Sequence, residues 1–470
     1  MKIAIGYPPI ESPKGVPLLS QNRQFQWFAE PTYVYPMVPA YAATLLAHNG
    51  YDVVWLDGIA EGWTYQEWVN RLRSEQVDFL LMETKTPVVK THWRIVTDLT
   101  FKFPHMKIVL CGDHVTALPY ETLISCPVSG VIVGGHYDWG LLGWMNAKRE
   151  NGIWESPSDI NLDDLPMVDR KLTRWELYAE KNGNFKYKPG TYVYSGRDCW
   201  WGKCTFCVWD QVLYPRGTFR VHSTGRMLDE VGRLIQLGVK EVFDDCGTFT
   251  PGVWLRRFCD GMIRRGYSTK IKFGCNMKPG RLTEREYHFM AEAGFRFILY
   301  GVESANQKTL DRLKKGGTAE EMERDFMCAK KAGLQPHITV MIGYPWEDWK
   351  DTQRTVDFAK KMLQKGWVDT LQGTIVVPYP GTVLFAECKR NGFLLTEDWD
   401  RYDMRESVMR CGITNEQAQK AVRQLYAAFL GPKFMIRKAL GVRTLADVKY
   451  LYQAGKKVLG HMVDFRKGKD

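Results

Sequence analysis

The sequence predicts an α/β protein in which two parallel sheets follow one another along the chain. Short, almost continuous apolar strands alternate with helical segments over about the first 140 residues, and the same alternation resumes at Thr191 and runs six times. The chain has 470 residues, of which 45% are hydrophobic, so there is ample material for sizeable cores. We therefore divide it into a doubly wound, Rossmann-like domain (1–145), a linker (146–188), a partial (β/α)6 barrel (189–385) and a basic, helical C-terminal region (386–470).

In the first domain, apolar runs that end in turn residues predict the strands and helices. We expect strands over 2–6, 51–56, 77–82, 107–110 and 130–133, with helices over 37–48, 65–74 and 88–101. Ligands of such a sheet bind beyond the carboxyl ends of its strands. No G-x-G-x-x-G follows the first strand, so a nicotinamide dinucleotide is a weak expectation.

The linker is polar and broken by Asn151-Gly152, Pro157 and Asn182-Gly183. After it we expect barrel strands over 191–195, 241–244, 270–275, 296–300, 337–342 and 370–376. Helices are expected between them, for example over 224–236, 283–293, 319–331 and 351–365. Six units fall short of the eight of a complete barrel, and chemistry is expected at the carboxyl ends of the strands.

Composition excludes several classes of protein. No apolar run of about 18 residues is present, so no membrane-spanning helix is expected. The N-terminus lacks the apolar stretch of a signal peptide, and we expect a cytoplasmic protein. Eleven scattered cysteines, an odd number, argue against a disulfide scaffold.

Three cysteines stand together in a short segment directly after the first predicted barrel strand. Cys199, Cys204 and Cys207 lie within nine residues, so their thiols are expected to converge. Thiolates in this arrangement bind zinc or an iron–sulfur cluster. Zinc would need a fourth ligand, for which His222 is a candidate. A cluster held by three thiolates keeps one iron open for a substrate or cosubstrate, and we favour that interpretation.

This segment resembles the radical S-adenosylmethionine (SAM) superfamily. The family pattern is C-x3-C-x2-C with an aromatic residue before the third cysteine; this chain has C-x4-C-x2-C with Phe206 in that place. Further pieces fit in order along the barrel, namely Asp244-Asp245 with Gly247-Thr248-Phe249-Thr250, then Asn276, Gly301-Val302-Glu303-Ser304, Ile342-Gly343-Tyr344-Pro345 and Pro378-Tyr379-Pro380-Gly381-Thr382. The extra residue leaves the path of the loop open.

The resemblance implies a [4Fe–4S] cluster on Cys199, Cys204 and Cys207, with SAM chelating the open iron. It also implies SAM contacts, for which we name Phe206, Asp244, Asn276 and Glu303. Each has an ordinary alternative: packing for Phe206, turn chemistry for Asn276, and a helix N-terminus for Glu303. Adjacent strand residues point to opposite sides, so at most one of Asp244 and Asp245 is expected to face the ligand.

A doubly wound domain ahead of such a barrel is similar to the cobalamin-binding branch of this superfamily, the class B methyltransferases. The segment from Gly112 to Pro119, the strand that ends at Gly134-Gly135 and the linker from Leu162 to Arg170 carry the similarity. It implies cobalamin at the sheet edge, with candidate contacts from Thr84, Thr86, Gly112, Thr116, Gly134 and Gly135. A D-x-H-x-x-G motif is absent, so no cobalt-ligating histidine is expected, and His114 and His136 are expected to be turn or surface residues.

The resemblance implies a cobalamin-dependent methyltransferase that acts on an unactivated carbon, or on phosphorus. A cyclisation, ring contraction or oxidation with the same cofactors is the alternative, and a flavodoxin or ferredoxin is the expected electron donor. A small-molecule, lipid or peptide substrate is left open, and no catalytic residue is assigned.

The C-terminal region carries an excess of positive charge. Residues 431–470 contain ten Lys or Arg against three Asp, a net charge of +7. A solvated basic helix pair that closes the fold is the ordinary explanation. An alternative of another class is a nucleic-acid or membrane-surface binding protein with a structural metal cluster. No recognisable RNA-binding module is present, so we expect no nucleic acid and keep contact with a membrane surface open.

Overall fold

The structure is a computed structural model that describes residues 1–19, 27–29, 32–183, 185–214 and 216–465. Its N-terminal strands are β1 (Lys2–Tyr7), β2 (Val16–Pro17), β3 (Trp27–Phe28), β4 (Asp52–Asp57), β5 (Phe79–Thr84), β6 (Lys107–Gly112), β7 (Gly130–Val133) and β8 (Gly152–Glu155). The helices among them are α1 (Met37–His48), α2 (Gly58–Glu61), α3 (Tyr65–Ser74), α4 (Val89–Lys102), α5 (Asp113–Ala117), α6 (Pro119–Ser125) and α7 (Tyr137–Asn146).

Six of these strands form one parallel sheet in the order β4-β1-β5-β6-β7-β8. Both faces are covered by helices. Ile3 and Ile5 of β1 pack in the cluster that contains α1 and α7, whereas Ala4 between them packs with α3 and α4. Successive side chains of a strand point to opposite faces, so a strand that is buried on both faces is apolar at nearly every position. The predicted doubly wound domain is thus present.

Strand β8 lies inside the segment predicted to be a linker. It pairs with β7 from Gly130↔Gly152 to Val133↔Glu155, so the first sheet extends ten residues beyond the predicted domain end at 145. The prediction of a linker from 146 was wrong at this point. The strand is a short edge strand with a half-exposed side, and its two apolar residues between polar neighbours gave no clear period.

The second sheet is also parallel and keeps the chain order β9 to β14, with no pairing of β9 to β14 among the described residues. Its strands are β9 (Gly190–Val193), β10 (Glu241–Asp244), β11 (Lys272–Met277), β12 (Phe295–Glu303), β13 (Gln335–Ile342) and β14 (Thr370–Ile375). Its helices, numbered after α8 (Glu176–Ala179) of the linker, are α9 (Thr224–Gln236), α10 (Val253–Arg264), α11 (Glu284–Glu292), α12 (Gln307–Arg312), α13 (Ala319–Lys331), α14 (Trp349–Lys365) and α15 (Val383–Arg390). This is the predicted open barrel of six βα units.

The linker locks onto the start of the barrel through two charged side chains. Asp163 accepts hydrogen bonds from His222 and from the Ser223 backbone, which is the N-cap of α9. Arg170 is buried and pairs with Glu230 of α9 at 3.0 Å. The predicted linker is therefore packed against α9, the first helix of the barrel, and holds it in place.

The C-terminal region contains α16 (Asn415–Ala427), α17 (Pro432–Leu440) and α18 (Leu445–Asp464). Helix α16 packs on β14 and α14, and α18 packs on α16. The predicted helical character of this region is confirmed. No helix of the described residues is long and apolar enough to cross a membrane.

Candidate active site

The three clustered cysteines line one cavity of about 300 Å³ at the carboxyl ends of the barrel strands. Each thiol is only partly buried. The same cavity follows the inside of the sheet, since it is also lined by residues early in their strands, such as Phe297 and His337. The site is therefore a chamber that runs along the barrel rather than a surface pit.

The thiol loop lies against the turn that follows β10. A Cβ on Gly247 would lie 2.7 Å from the Cys199 Cβ and 3.0 Å from the Asp198 carbonyl oxygen, so only glycine permits this approach. Asp210 accepts a hydrogen bond from the Cys199 backbone N–H at 3.3 Å. Within the longer first spacer, Gly202 takes a left-handed conformation (φ +54°), which turns the chain back toward Cys204.

A single metal ion and an iron–sulfur cluster differ in how closely their protein ligands must converge. Among the described residues, no three His, Cys, Asp or Glu side chains are close enough together to hold one metal ion. A [4Fe–4S] cluster takes each thiolate on a different iron, so its ligands need not meet at one point. His222, the candidate fourth zinc ligand, does not line the cavity; its Nδ1 lies 3.0 Å from the Asp163 carboxylate.

Positive charge is concentrated beside Cys204. Burial and the nearby Asp210 raise the pKa of Cys199 to about 11, whereas at Cys204 the ammonium of Lys315 partly offsets the rise in pKa that burial causes. Burial, with Arg281 and Lys315 nearby, lowers the pKa of Lys278 to about 8. A bound metal would deprotonate the thiols, and this basic surround would balance their charge.

Glu303 is placed in the cavity by a distortion of its strand. The pairing of β12 with β13 shifts register between Gly301 and Glu303, and Glu303 itself has a positive φ of 64°. Such a conformation costs about 1–3 kcal/mol in a residue other than glycine, and it is typical of functional sites. Its Oε1 accepts from Lys315 Nζ at 2.8 Å.

Asn276 and Asp245 form a second polar group of the cavity. The Asn276 amide donates to Asp245 Oδ1 at 2.8 Å and to the Cys246 carbonyl at 3.0 Å. The amide oxygen Oδ1 of Asn276 is buried and accepts no hydrogen bond within the described part of the chain. An acceptor left in this state inside a cavity fits a ligand with an N–H or O–H group, as SAM has.

Asp244 does not line this cavity, unlike its neighbour Asp245. Its Oδ1 instead accepts from the backbone N–H groups of Ser195 and Cys246 and so holds the turn after β10 together. Of the two adjacent carboxylates, the structure therefore favours Asp245 as the one that faces the cavity, and a SAM contact from Asp244 stays a prediction. Phe206 and Glu303, also named from the sequence, do line it.

Two lysines and a glycine of the site were missed in the sequence. Lys315 and Lys278 look like any surface lysines in the sequence, and only folding places them over the thiol loop. Gly247 was given no role in the sequence analysis, although a glycine three residues after the end of a strand can mark a close approach of two backbones.

The six candidate cobalamin contacts all lie at the carboxyl edge of the first sheet, but none lines the cavity. Thr84 and Thr86 are fully buried and lie 2.7 Å and 3.3 Å from the Nδ1 atoms of His92 and His114. Gly112 is buried beside them, while Thr116 donates to its carbonyl and accepts from the Gly134 N–H. The Gly135 N–H donates to the Leu213 carbonyl at 2.6 Å. Protein therefore covers much of this edge.

Unpartnered polar atoms collect next to that edge, where α7 begins. Both ring nitrogens of His136, Oδ1 of Asp138 and the hydroxyl of Ser156 are buried without a hydrogen-bond partner among the described residues. The corrin ring of cobalamin is rimmed with amides, which both donate and accept, so these atoms fit such a ligand. His114 and His136 are 0% and 2% exposed, so of the expected turn or surface positions the surface one is wrong, whereas His136 does lie in the turn before α7.

The radical SAM superfamily matches residues 193–359, which span the thiol loop and the strands to β13. These residues form a radical SAM domain. An uncharacterized methyltransferase of Pyrococcus horikoshii is 28% identical over 86% of this chain and 89% of its own length. An anaerobic magnesium-protoporphyrin IX monomethyl ester cyclase of Cereibacter sphaeroides is 23% identical over 86% of this chain and 68% of its own.

Two solved structures share the fold of this chain over nearly its whole length. TsrM of Kitasatospora setae, a radical SAM methyltransferase with cobalamin and a [4Fe–4S] cluster bound, has a TM-score of 0.67 at 13% identity, over 91% of this chain and 88% of its own. OxsB, a cobalamin-dependent radical enzyme with aqua-cobalamin and SAM bound, has a TM-score of 0.68 at 15% identity, over 98% of this chain and 72% of its own. The arrangement of both domains is thus shared.

Proposed function

We propose that this chain is a cobalamin-dependent radical SAM methyltransferase that acts on an unactivated carbon or on phosphorus. The observation that carries the proposal is the joint occurrence, in one chain, of a thiol-lined cavity at the barrel mouth and a doubly wound domain whose carboxyl edge contacts the start of that barrel, through Asp138 to Arg197 and Gly135 to Leu213. The relatives that match over most of the chain include a methyltransferase and a cyclase, and both solved neighbours bind cobalamin.

Cys199, Cys204 and Cys207 would hold the [4Fe–4S] cluster, with Lys315 and Lys278 balancing its charge. Glu303 and the free amide oxygen of Asn276 would accept hydrogen bonds from SAM, and Phe206 offers an aromatic surface in the same cavity. Lys315 lies 2.8 Å from Glu303, so it fixes the carboxylate that would touch SAM.

The polar atoms at the start of α7 would hold cobalamin at the sheet edge. Asp138 also pairs with Arg197 at 2.7 Å, and both side chains are 0% exposed. Arg197 stands two residues before Cys199, so this ion pair fixes the sheet edge relative to the thiol loop. Such fixed geometry is needed where two cofactors must reach one substrate.

When bound, cluster and SAM supply a 5′-deoxyadenosyl radical, and methylcobalamin supplies the methyl group. The chain contributes the walls of the chamber. Phe243, Phe297 and Leu299 line it, and their apolar surface keeps out solvent with its dissolved hydrogen donors and reductants, which would otherwise quench a carbon radical. An external flavodoxin or ferredoxin is the proposed electron donor.

Anaerobic turnover with SAM carrying a deuterated methyl group tests the proposal. The reconstituted enzyme is incubated with cobalamin, a reductant and either an aqueous or a lipid extract. Methyl transfer predicts a product heavier by a labelled methyl group, with S-adenosylhomocysteine and 5′-deoxyadenosine formed in similar amounts. Deoxyadenosine formed together with a converted but unlabelled product would eliminate methyl transfer.

That second outcome would favour cyclisation or oxidation with the same cofactors. The similarity to the Cereibacter sphaeroides cyclase over 86% of the chain is the observation that supports this alternative. Substrate placement decides between the two reactions, and both need the same thiols.

A further inference from the structure

The last helix, α18, shows an apolar stripe to solvent. Leu445, Val448, Tyr452 and Leu459 are 82%, 50%, 68% and 57% exposed. Their spacing of three, four and seven residues places them on one face of the helix, and Gly455 fills the remaining position of that face. Four large side chains aligned in this way form an exposed apolar patch rather than scattered single residues.

Helix α17 adds to this surface, and the positive charge lies around it. Met435, Ile436 and Leu440 are each more than half exposed. The basic side chains of Lys433, Arg443 and Lys449 are exposed on and between the two helices. An exposed apolar face flanked by Lys and Arg is the pattern of helices that lie in the surface of an anionic bilayer.

We propose that α17 and α18 dock this enzyme on an anionic lipid bilayer, and that its substrate is an apolar molecule carried in that bilayer. The second part rests on the proposed function, whereas the docking does not. A second copy of the chain is a less suitable occupant, because it would bring another net charge of +7 from residues 431–470 against the first.

The substrate class follows from the opposite face of α18. Tyr450, Ala454 and Val458 on that face line the same cavity as the three cluster cysteines. Phe297, Leu299 and Phe429 continue this apolar lining between the helix and the barrel mouth. One helix therefore touches both the proposed bilayer and the reaction chamber, which gives an apolar substrate a short path between them.

Vesicle co-sedimentation of the full-length, reconstituted enzyme tests the docking. We expect binding to vesicles of phosphatidylcholine with phosphatidylglycerol, little binding to phosphatidylcholine alone, and loss of binding at high salt. The triple variant Leu445→Gln/Val448→Gln/Leu459→Gln should bind about tenfold more weakly or worse, because the apolar anchor is gone. Lys433→Gln/Lys449→Gln should weaken the preference for phosphatidylglycerol.

The matched control is Phe101→Gln/Ile124→Gln, which removes two side chains that are 86% and 85% exposed on the first domain. It should bind vesicles as the wild type does. Equal binding by the triple variant, or no binding by the wild type, would overturn the docking. So would a dimer in size-exclusion chromatography that the triple variant dissociates, since the stripe would then be covered by a second copy.

A binding experiment with the fluorescent fatty acid cis-parinaric acid tests whether the cavity takes an apolar substrate. We expect the wild type to bind it, and Ala454→Trp or Val458→Phe, which fill the cavity beside α18, to bind it several-fold more weakly. Ala427→Trp, at an exposed position on α16, is the control and should bind it normally. No probe binding, or binding unaffected by either filling variant, would overturn the apolar substrate.

The two proposals fail separately. Cys204→Ala should leave vesicle binding unchanged, because docking through α17 and α18 does not need the cluster. In the wild-type enzyme, absence of methyl transfer with vesicle binding intact would count against the proposed function alone, and methyl transfer without vesicle binding would count against the docking alone.

Discussion

Two carboxyl sheet edges meet in this molecule, and they differ in how much space they leave. The barrel edge surrounds an open cavity with three partly exposed thiols, an unpartnered amide oxygen and a strained glutamate. At the edge of the first sheet, Glu83, Thr84 and Lys85 are each at most 3% exposed. The comparison teaches that the proposed SAM side is formed in advance, whereas the proposed cobalamin side is held by buried polar contacts that must admit a ligand.

The largest effect on activity is expected at the barrel edge, where the three thiols lie. Cys204→Ala should abolish turnover, because an iron loses its protein ligand and the cluster is lost. Iron content and anaerobic formation of 5′-deoxyadenosine check this. Cys126→Ala, which removes a buried thiol from the first domain, should keep both near wild-type levels. Turnover in the Cys204 variant would mean that the cavity is not the site of chemistry.

The buried ion pair of Asp138 and Arg197 joins the two sheet edges, and its loss should lower the stability of the protein most at the edge of the first sheet. Asp138→Ala leaves the fully buried Arg197 guanidinium without its partner, which costs about 3–5 kcal/mol. A fall of several degrees in the apparent Tm is expected in thermal unfolding. Asp260→Ala, at an exposed pair with Arg264, should cost about 0–1 kcal/mol and hardly move it. Equal shifts in the two variants would show that the interface is not rigid.

Close approach to the thiol loop predicts a smaller, specific effect. Gly247→Ala places a methyl group against Cys199 and Asp198, so the loop must shift and iron bound per chain should fall about two- to threefold, as expected for about 0.5 kcal/mol or more of strain. Gly225→Ala in α9, whose added Cβ meets nothing within 4 Å, should leave iron content unchanged. Full iron content in the Gly247 variant would place the loop elsewhere.

The smallest expected effect is on the pH dependence of stability, through Glu83 at the edge of the first sheet. Burial raises the pKa of Glu83 to about 7, although Lys85 and the Tyr7 hydroxyl favour its charged form. The folded protein then binds more protons than the unfolded chain, so Glu83 makes stability fall as pH rises from about 4.5 to about 7. Glu83→Gln should flatten that part of a Tm-against-pH curve by a few degrees. An unchanged slope would show that Glu83 ionises normally.

The sequence predicted what is local, and it was less reliable about what depends on distant contacts. Helices 37–48, 65–74, 224–236 and 319–331 and strands 130–133 and 241–244 were predicted with the bounds that the structure has. Each has its period and its caps within a few residues. The half-exposed edge strand β8 and the short helix α7, which follows the Gly134-Gly135 turn, were missed.

The site divides in the same way. The three thiols sit in one short loop, so the sequence alone brought them together. Asp244 and Asp245 differ by one position of a pleat, and the sequence could not say which faces inward. Lys315 reaches Glu303 only because β12 and the segment after α12 fold over the thiol loop. Contacts at the first sheet edge come from four separate loops, and no short pattern encodes them.

The helix that lines the far end of the reaction chamber belongs to the last part of the chain. The exclusion of solvent from a short-lived carbon radical thus depends on residues that are very distant in sequence from the iron ligands. Removing the chain beyond α16 would let dissolved thiols and reductants reach the radical from the rear, and SAM would be consumed without product even though every cofactor contact at the mouth remained in place.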